Sequence, residues 1–278
     1  MKLSIITVNL NNRDGLQKTI DSVVSQTFKD FEWIIIDGGS TDGSKELIEQ
    51  YADHFTYWVS EPDKGIYNAM NKGIRVAKGN YLQFLNSGDW LYNNTILEKC
   101  FSHEFRADII YGDILFCNGQ KLERHCYPEQ LSIRFFYNLS LGHPSSFIKR
   151  ELIQEELYDE NLKLVSDWKF FLIQALKNKK FEHIDEAISC FDTFGVSSTN
   201  EKLIEKERES VLENELNPMI SSDCVTINEM ESLLGNPHVK KTIKFGGGKK
   251  IYHRLITANL YLIELLDKLP WKREKSQS

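Results

Sequence analysis

The first ninety or so residues alternate short apolar runs with stretches of helical spacing. The runs have the length and β-rich composition of buried strands and lie at residues 2–8, 31–36, 56–60 and 80–85. Between them, apolar side chains recur every three or four residues, as at Leu16, Ile20 and Val23. Three strand–turn–helix units and a fourth strand predict a parallel, right-handed α/β layer.

Beyond Trp90 the alternation is weaker. The predicted elements are strands at 107–111 and 114–117, a returning hairpin strand at 121–127, a helix within 128–137, a strand at 147–148, a helix from Asp167 and a strand at 187–191. After Ser197 the sequence becomes charged and helical, with helices predicted at 201–214, 228–234 and 249–269 and a glycine hinge at 246–248. We therefore predict a sheet domain at 1–197, with halves at 1–100 and 101–197, and a helical extension at 198–278.

A polar turn follows each of the first four strands. Parallel strands end at one edge of the sheet, and open α/β sheets bind ligands at that edge. The fourth turn, Asn86-Ser87-Gly88-Asp89, places a carboxylate there. Asp89 is the first candidate ligand for Mg²⁺ or Mn²⁺, which prefer oxygen ligands. The alternative is a β-turn whose Asp bonds its own backbone, and this stretch alone favours that alternative.

Composition excludes several classes of protein. Hydrophobic residues at 41% and charged residues at 27% of 278 are globular values, which exclude a disordered or fibrous chain. Five cysteines without a C-x-x-C pair are typical of reduced thiols in the cytosol. The start has no cleavable signal, and no apolar stretch has the length of a membrane span. A dinucleotide oxidoreductase is disfavoured because no G-x-G-x-x-G follows the first strand.

Charge is distributed unevenly. From His238 onward, ten basic residues oppose three acidic ones, a net +7, and the formal total of −6 leaves −13 for the rest. An acidic body argues against a nucleic-acid partner. The basic end is compatible with an anionic membrane surface.

Four ordered motifs together resemble glycosyltransferase family 2 and its GT-A fold. They are Thr7 with Asn9-x-Asn11, the turn Asp37-Gly-Gly-Ser40-Thr41-Asp42-Gly, the segment Glu61-Pro62-Asp63-Lys64-Gly65-Ile-Tyr67-Asn68-Ala-Met70-Asn71, and Phe-Leu-Asn86-Ser-Gly88-Asp89. Asp167-Trp168 stands where the family carries its catalytic acidic residue. The resemblance covers about two-thirds of the chain and stops near Ser197. It implies a Rossmann-like, mostly parallel sheet flanked by helices.

The resemblance also implies a nucleotide-diphosphate-sugar donor, with a UDP-sugar favoured. Asp37 would accept a hydrogen bond from base or ribose; its alternative is a turn residue that bonds the backbone. Lys64 would contact phosphate or remain a solvated loop charge. The donor-binding residues implied by the motifs are Thr7, Asn9, Asn11, Asp37, Ser40, Asp63, Lys64, Asn68, Asn86, Gly88 and Asp89.

The motif for the divalent cation departs from the family pattern. The common Asp-x-Asp-Asp reads Asn86-Ser87-Gly88-Asp89 here, so one carboxylate remains. We expect a weakly held Mg²⁺ or Mn²⁺ that arrives with the nucleotide and is bound by Asp89. Asn86 would reach the ribose or a metal-bound water.

Asp167 is the candidate general base, taking the proton of an acceptor hydroxyl in one inverting displacement. An N-cap to the following helix is its alternative, and both roles are compatible. Trp168, Asp113 and His143 are further acceptor-side candidates. For Asp113 the alternative is a turn, and for His143 it is a structural histidine.

These expectations lead to an inverting, metal-assisted transferase that acts on a glycan or lipid-linked acceptor in bacterial surface polysaccharide synthesis. A nucleotide-sugar-binding module without turnover is the alternative. The expected location is the cytoplasm, including the inner face of the membrane. The apolar segment 249–269 has three alternative roles: core packing, a homodimer seam or an interfacial membrane helix.

Overall fold

The computed structural model describes residues 2–102, 104–119, 121–192 and 200–235. The chain divides into two compact units, one ending at Pro218 and one beginning at Met219. The predicted hinge at 246–248 and helix at 249–269 lie outside the described residues. Within the described residues, no helix has the length and apolarity needed to cross a bilayer.

The first unit alternates strands and helices in its amino-terminal half. Its elements are β1 (Leu3–Asn9), α1 (Arg13–Val24), β2 (Phe31–Asp37), α2 (Ser44–Gln50), β3 (Tyr57–Ser60), α3 (Ile66–Val76), β4 (Tyr81–Phe84), β5 (Trp90–Leu91) and α4 (Ile96–Cys100). All three predicted strand–turn–helix units are present. Helix α2 ends at Gln50, and a 3-10 turn follows at Ala52–His54.

The second half of the unit is less regular. Its elements are β6 (Ile109–Asn118), β7 (Lys121–His125), α5 (Ile133–Asn138), β8 (Ser146–Lys149), α6 (Arg150–Glu155), α7 (Ser166–Leu176), β9 (Phe181–Asp192) and α8 (Glu201–Glu215). Helices α4 and α6 have no predicted counterpart, since elements of five and six residues are too short to show a helical period. In the second unit, α9 (Pro218–Gly235) is longer than the predicted 228–234.

Among the described residues, nine strands form one mixed sheet in the order β3-β2-β1-β4-β8-β6-β9-β5, with β7 paired to β6. Strands β1 to β4 are mutually parallel, with Asn9 opposite Asp37 and Asp37 opposite Ser60. Strand β8 runs antiparallel to β4, so its start meets the end of β4. The predicted parallel layer is confirmed, and its four carboxyl ends share one edge.

The core packs helices against this sheet. Leu16 and Ile20 of α1 and Leu47 of α2 lie in one buried cluster with Trp33 of β2 and Phe147 of β8. Burying a side chain of this size contributes about 1.5–3 kcal/mol. The rigid sheet therefore holds the turns at its carboxyl edge in fixed relative positions.

Candidate functional site

Asp37, at the end of β2, is fully buried at the centre of a hydrogen-bond network. Its Oδ1 accepts from Asn9 Nδ2 (2.7 Å) and Ser40 Oγ (2.6 Å), and its Oδ2 accepts from Ser60 Oγ (2.6 Å) and the backbone N–H groups of Gly39 and Ser40. Burial favours the neutral form, but the hydrogen bonds outweigh it and lower the pKa of Asp37. Both oxygens are thus occupied, and Asp37 ties the ends of β1, β2 and β3 together.

The turn after β1 is tied to two other turns. Asn11, at φ 49°, donates its N–H to Ser40 Oγ (2.8 Å) and accepts from Thr41 N on Oδ1 (2.8 Å). Asn12 accepts from Gly15 N and so caps α1, while its Nδ2 donates to Ser87 O (3.0 Å). Three turns that are distant in sequence therefore form one rim.

Thr19 of α1 holds the turn after β4 through two hydrogen bonds. The Thr19 hydroxyl donates to Asp89 O (2.7 Å) and accepts from Gly88 N (3.0 Å). Gly88 adopts φ 104°, a conformation that favours glycine. Asp89 is 5% exposed, and Asn86 Oδ1 is buried without a hydrogen-bond partner among the described residues.

These oxygens fit a divalent cation that brings further ligands of its own. Asp89 supplies a carboxylate, and the unpaired Asn86 Oδ1 supplies an acceptor that a cation or its water would satisfy. The described residues contain no group of three or more His, Cys, Asp or Glu side chains able to hold a metal ion. Phosphate oxygens would have to complete the coordination, as is usual for Mg²⁺.

The loop between β3 and α3 lies on the same edge. Asp63 Oδ1 accepts from Gly65 N (2.9 Å), and Asp63 Oδ2 lies so near Gly38 that a Cβ there would be 2.5 Å away and would displace the carboxylate. Lys64 is exposed, and its backbone N–H donates to Asn68 Oδ1 (3.2 Å). The backbone that carries the exposed Lys64 is therefore held by a short loop with two internal hydrogen bonds.

Asp167 lies in the first turn of α7 and is half-buried. Its Oδ1 accepts from the Tyr67 hydroxyl over 2.7 Å, and Oδ2 has no hydrogen-bond partner in the described part of the chain. The N-cap of α7 is Val165, with no side-chain cap, so the predicted N-cap role of Asp167 is wrong. Because α3 starts at the carboxyl edge, its Tyr67 brings Asp167 to that edge.

Two predicted site residues lie inside the protein. Thr7 is fully buried, and its hydroxyl accepts from Trp33 Nε1 (3.0 Å), so it does not reach the rim. Trp168 is 3% exposed and donates from Nε1 to Phe136 O (2.6 Å), so its ring is a packing element beside Asp167. Thr7 and Trp168 therefore lie outside the proposed donor and acceptor sites.

His143 is also structural. Its ring stacks on Phe84 at 4.4 Å between centroids, and Nε2 lies 2.6 Å from the Tyr158 hydroxyl. Burial lowers the pKa of His143 to about 4, although the charge of Asp167 opposes this shift. His143 is therefore neutral near pH 7 and unsuited to bind an anion.

Asp113 is paired within the acceptor-side half. At a bulge between β6 and β9 it accepts from Tyr127 N (3.0 Å) and from Arg124 (2.7 Å), and His183 Nε2 lies 3.1 Å away. Burial opposes ionisation, but these contacts outweigh it and lower the pKa of Asp113. With 1% exposure, Asp113 secures the hairpin and does not face a sugar.

Sequence reasoning missed two residues of the site. Glu160 accepts from Asn68 (2.8 Å) and Asn71 (2.9 Å), and it precedes α7 in a segment without a motif. Tyr67 lies within a recognised motif, yet its partner is a hundred residues away. The spacing of Asn68 and Asn71 on one helical face was the available signal, but it does not identify the carboxylate that they bind.

Comparison with known proteins gives a consistent picture. Residues 4–155 match the family model described as Glycosyl transferase family 2. The chain is 32% identical over 214 residues to an uncharacterized glycosyltransferase of Mycobacterium tuberculosis, covering 72% of this chain and 78% of the relative.

Solved structures share the fold. Staphylococcus aureus TarS superposes with a TM-score of 0.62 at 20% identity, over 81% of this chain and 69% of TarS, and TarS has also been solved with UDP-GlcNAc. The mannosyltransferase PcManGT of Pyrobaculum calidifontis, solved with GDP-Man and Mn²⁺, gives 0.56 at 14% identity over 98% of this chain and 88% of that chain. The predicted GT-A architecture is confirmed.

Proposed function

The chain belongs to glycosyltransferase family 2, and from that premise we propose that it transfers a sugar, with inversion, from a UDP-sugar to a hydroxyl of a glycan or lipid-linked acceptor. Synthesis of a bacterial surface polysaccharide, at the inner face of the membrane, is the proposed setting. Hexose or N-acetylhexosamine is the proposed sugar class.

The Asp167 carboxylate carries this proposal. Its Oδ1 accepts from Tyr67, its Oδ2 accepts from no other described residue, and the side chain is partly exposed at the sheet edge where donors bind in this architecture. As the acceptor oxygen bonds the anomeric carbon, Oδ2 takes the hydroxyl proton, the bond from that carbon to the diphosphate oxygen breaks, and the nucleotide diphosphate leaves. General-base assistance of this kind contributes about 10²–10⁴-fold.

The rim supports binding of the nucleotide. The backbone of the turns at Asn11 and Ser40 is fixed by hydrogen bonds, so its polar groups are preorganised. Lys64 is the proposed phosphate contact, since it is exposed on a braced loop. UDP-GlcNAc in TarS is consistent with UDP as the nucleotide.

Asp89 and Asn86 would hold the divalent cation proposed to accompany the nucleotide. When bound, Mg²⁺ or Mn²⁺ offsets the charge of the departing diphosphate, a contribution of several kcal/mol. Thr19 supports this role by fixing the backbone that carries Asp89, through hydrogen bonds with Asp89 O and Gly88 N.

The test is nucleotide release from a panel of UDP-, GDP- and dTDP-sugars with Mn²⁺, with and without a polyprenyl-phosphate-linked saccharide. We expect UDP release that increases when acceptor is added, and a product of inverted anomeric configuration. Tight UDP binding without release, with or without acceptor, would instead support the nucleotide-sugar-binding module. Release of GDP or dTDP alone would reject the proposed nucleotide.

A further inference from the structure

We propose that Tyr67 is a positioning residue for Asp167, which fixes Oδ1 so that Oδ2 faces the acceptor hydroxyl. This inference rests on the proposed function, in which Asp167 is the general base. The carrying observation is the 2.7 Å hydrogen bond from the Tyr67 hydroxyl to Oδ1, between residues a hundred positions apart.

The Tyr67 side chain is held rigidly. Its ring is 5% exposed and packs against the ring of Tyr158, with centroids 5.5 Å apart. Helix α3 is joined to the segment before α7 by a reciprocal pair, since Asn71 Nδ2 donates to Tyr158 O (2.9 Å) and Tyr158 N donates to Asn71 Oδ1 (3.0 Å). The hydroxyl therefore has a fixed position relative to the start of α7.

Tyr67 remains a hydrogen-bond donor throughout the neutral range. Burial raises the pKa of Tyr67 well above its ordinary value, and the negative charge of Asp167 raises it further. The phenol thus keeps its proton, and its O–H group donates a hydrogen bond to Oδ1. Rotation of the carboxylate away from this donor would leave the buried hydroxyl proton without its acceptor, which disfavours the rotated state.

The other titratable groups that face Asp167 come from three elements. The charge of Asp167 acts on Arg208 of α8, whose guanidinium stacks over the Trp168 ring at 4.3 Å, and also on His143 and on Tyr158, which precedes α7. His143 and Tyr158 are neutral at assay pH, because burial lowers the pKa of the first and raises that of the second. Arg208 is therefore the charged neighbour, whereas Tyr67 is the group that makes a hydrogen bond to the carboxylate.

Two consequences separate positioning from packing. A group that positions the base acts on the chemical step and not on donor binding, so its loss lowers kcat and leaves the donor KM almost unchanged. Tyr67→Phe keeps the ring and its contacts but removes the hydrogen-bond donor. We expect kcat to fall about tenfold and the donor KM to stay within about twofold, because the Tyr67 hydroxyl is bonded to Asp167.

The experiment measures nucleotide release at pH 7 by the full chain with Mn²⁺, using the donor and acceptor of the panel that give the highest turnover. The variants are Tyr67→Phe, Asp167→Asn and a matched control, Tyr81→Phe. The Tyr81 hydroxyl donates to Ala107 O (2.8 Å) at the amino end of β4, on the opposite edge of the sheet. The control therefore loses a comparable buried hydrogen bond away from the site. Its kcat and donor KM are expected to match those of the wild type.

Failures of the two proposals are distinguishable. A donor KM that rises in proportion as kcat falls in Tyr67→Phe, or wild-type kcat and KM, while Asp167→Asn is inactive, overturns the positioning role alone. Wild-type turnover by Asp167→Asn, or no release from any donor with or without acceptor, overturns the proposed function and this inference with it. An equal fall of kcat in Tyr81→Phe also overturns the positioning role, because the fall would then be a general effect of lost stability.

Discussion

The side-chain amide of Asn12 donates a 3.0 Å hydrogen bond to the backbone carbonyl of Ser87, 75 residues further along the chain. The same side chain caps α1 through Gly15 N. One residue thus joins the turn after β1 to the turn that carries Asp89. The helix and the proposed metal-binding turn share an anchor, so a change at Asn12 acts on both.

Substitution of Asn12 separates these two roles. Serine keeps an N-cap oxygen but is too short to reach Ser87, whereas alanine loses both contacts. We expect the free energy of unfolding of Asn12→Ser to lie within about 0.5 kcal/mol of the wild-type value, and that of Asn12→Ala to fall by about 1 kcal/mol. Both variants should bind UDP with Mn²⁺ several-fold more weakly. Urea unfolding measures the stabilities, and titration calorimetry measures the affinities. Wild-type affinity for UDP in both variants would show that the hydrogen bond from Asn12 to Ser87 does not support the site.

The proposed cation site predicts opposite effects at two positions of the turn after β4. Asp89→Ala should abolish most of the gain in UDP affinity that Mn²⁺ provides over EDTA. Asn86→Asp should enlarge that gain, because it adds a carboxylate where an acceptor oxygen is now unpaired. Calorimetry with and without Mn²⁺ measures the gain.

Asp14 provides the matched control for these variants, since its side chain is 99% exposed in the first turn of α1. Asp14→Ala should leave the Mn²⁺ gain unchanged. Full metal dependence in Asp89→Ala would place the cation elsewhere.

Asp167→Asn tests the base directly. The amide is isosteric but cannot accept the acceptor proton, so turnover should fall by at least about 10²-fold. Nucleotide affinity should stay within a few-fold, because the rim around Asp37 and Asn11 does not include Asp167. Single-turnover product formation and calorimetry with UDP give the two values. A parallel loss of affinity would indicate that Asp167 contributes to the donor site instead.

Much of the amino-terminal fold was predictable from local pattern. Strands β1, β2 and β4 are buried on both faces, so they appear as continuous apolar runs, and their shared direction follows from the helices between them. The location of the four turns at one edge was therefore predictable. The antiparallel insertion of β8 between β4 and β6 was not, because short strands carry no information about their partners.

The side-chain roles were harder to predict than the positions. Sequence motifs identified Asp37 and Thr7 as polar residues near strand ends, but not that Ser60 and Trp33 would occupy their polar atoms. Such pairings join residues more than twenty positions apart, and a single sequence does not encode them as a pattern. The same limit hid Tyr67 as the partner of Asp167.

The lowered pKa of Asp37 predicts a pH-dependent loss of stability. A carboxylate whose pKa is lower in the folded than in the unfolded protein stabilises the fold at pH values above the unfolded pKa, near 3.8. This contribution disappears as pH falls through the folded pKa. Asp37→Asn should therefore cost about 2–3 kcal/mol at pH 7. The difference from the wild type should shrink as pH falls below about 3.8, where the unfolded carboxyl becomes protonated, and should be smallest below the lowered folded value.

Denaturant unfolding of both proteins from pH 7 to pH 3 measures that difference. A constant difference over the whole range would mean that the charge of Asp37 does not stabilise the fold. Asp14→Asn, at an exposed position, should change the unfolding free energy little at any pH.

Helix α8 lies beyond the matched family segment, yet its contacts reach the turn before Asp167. The Glu207 carboxylate accepts from the backbone N–H groups of Lys163 (2.7 Å) and Leu164 (3.0 Å), just before α7. Glu207→Ala should leave these groups without their partner and destabilise the protein by about 1–2 kcal/mol. It should also lower kcat, because the start of α7 carries the proposed base. Glu205→Ala, at an exposed position of the same helix, controls for lost charge and for helix propensity. An equal loss of kcat in both variants would show that the effect comes from α8 as a whole and not from the contact of Glu207 with Lys163 and Leu164.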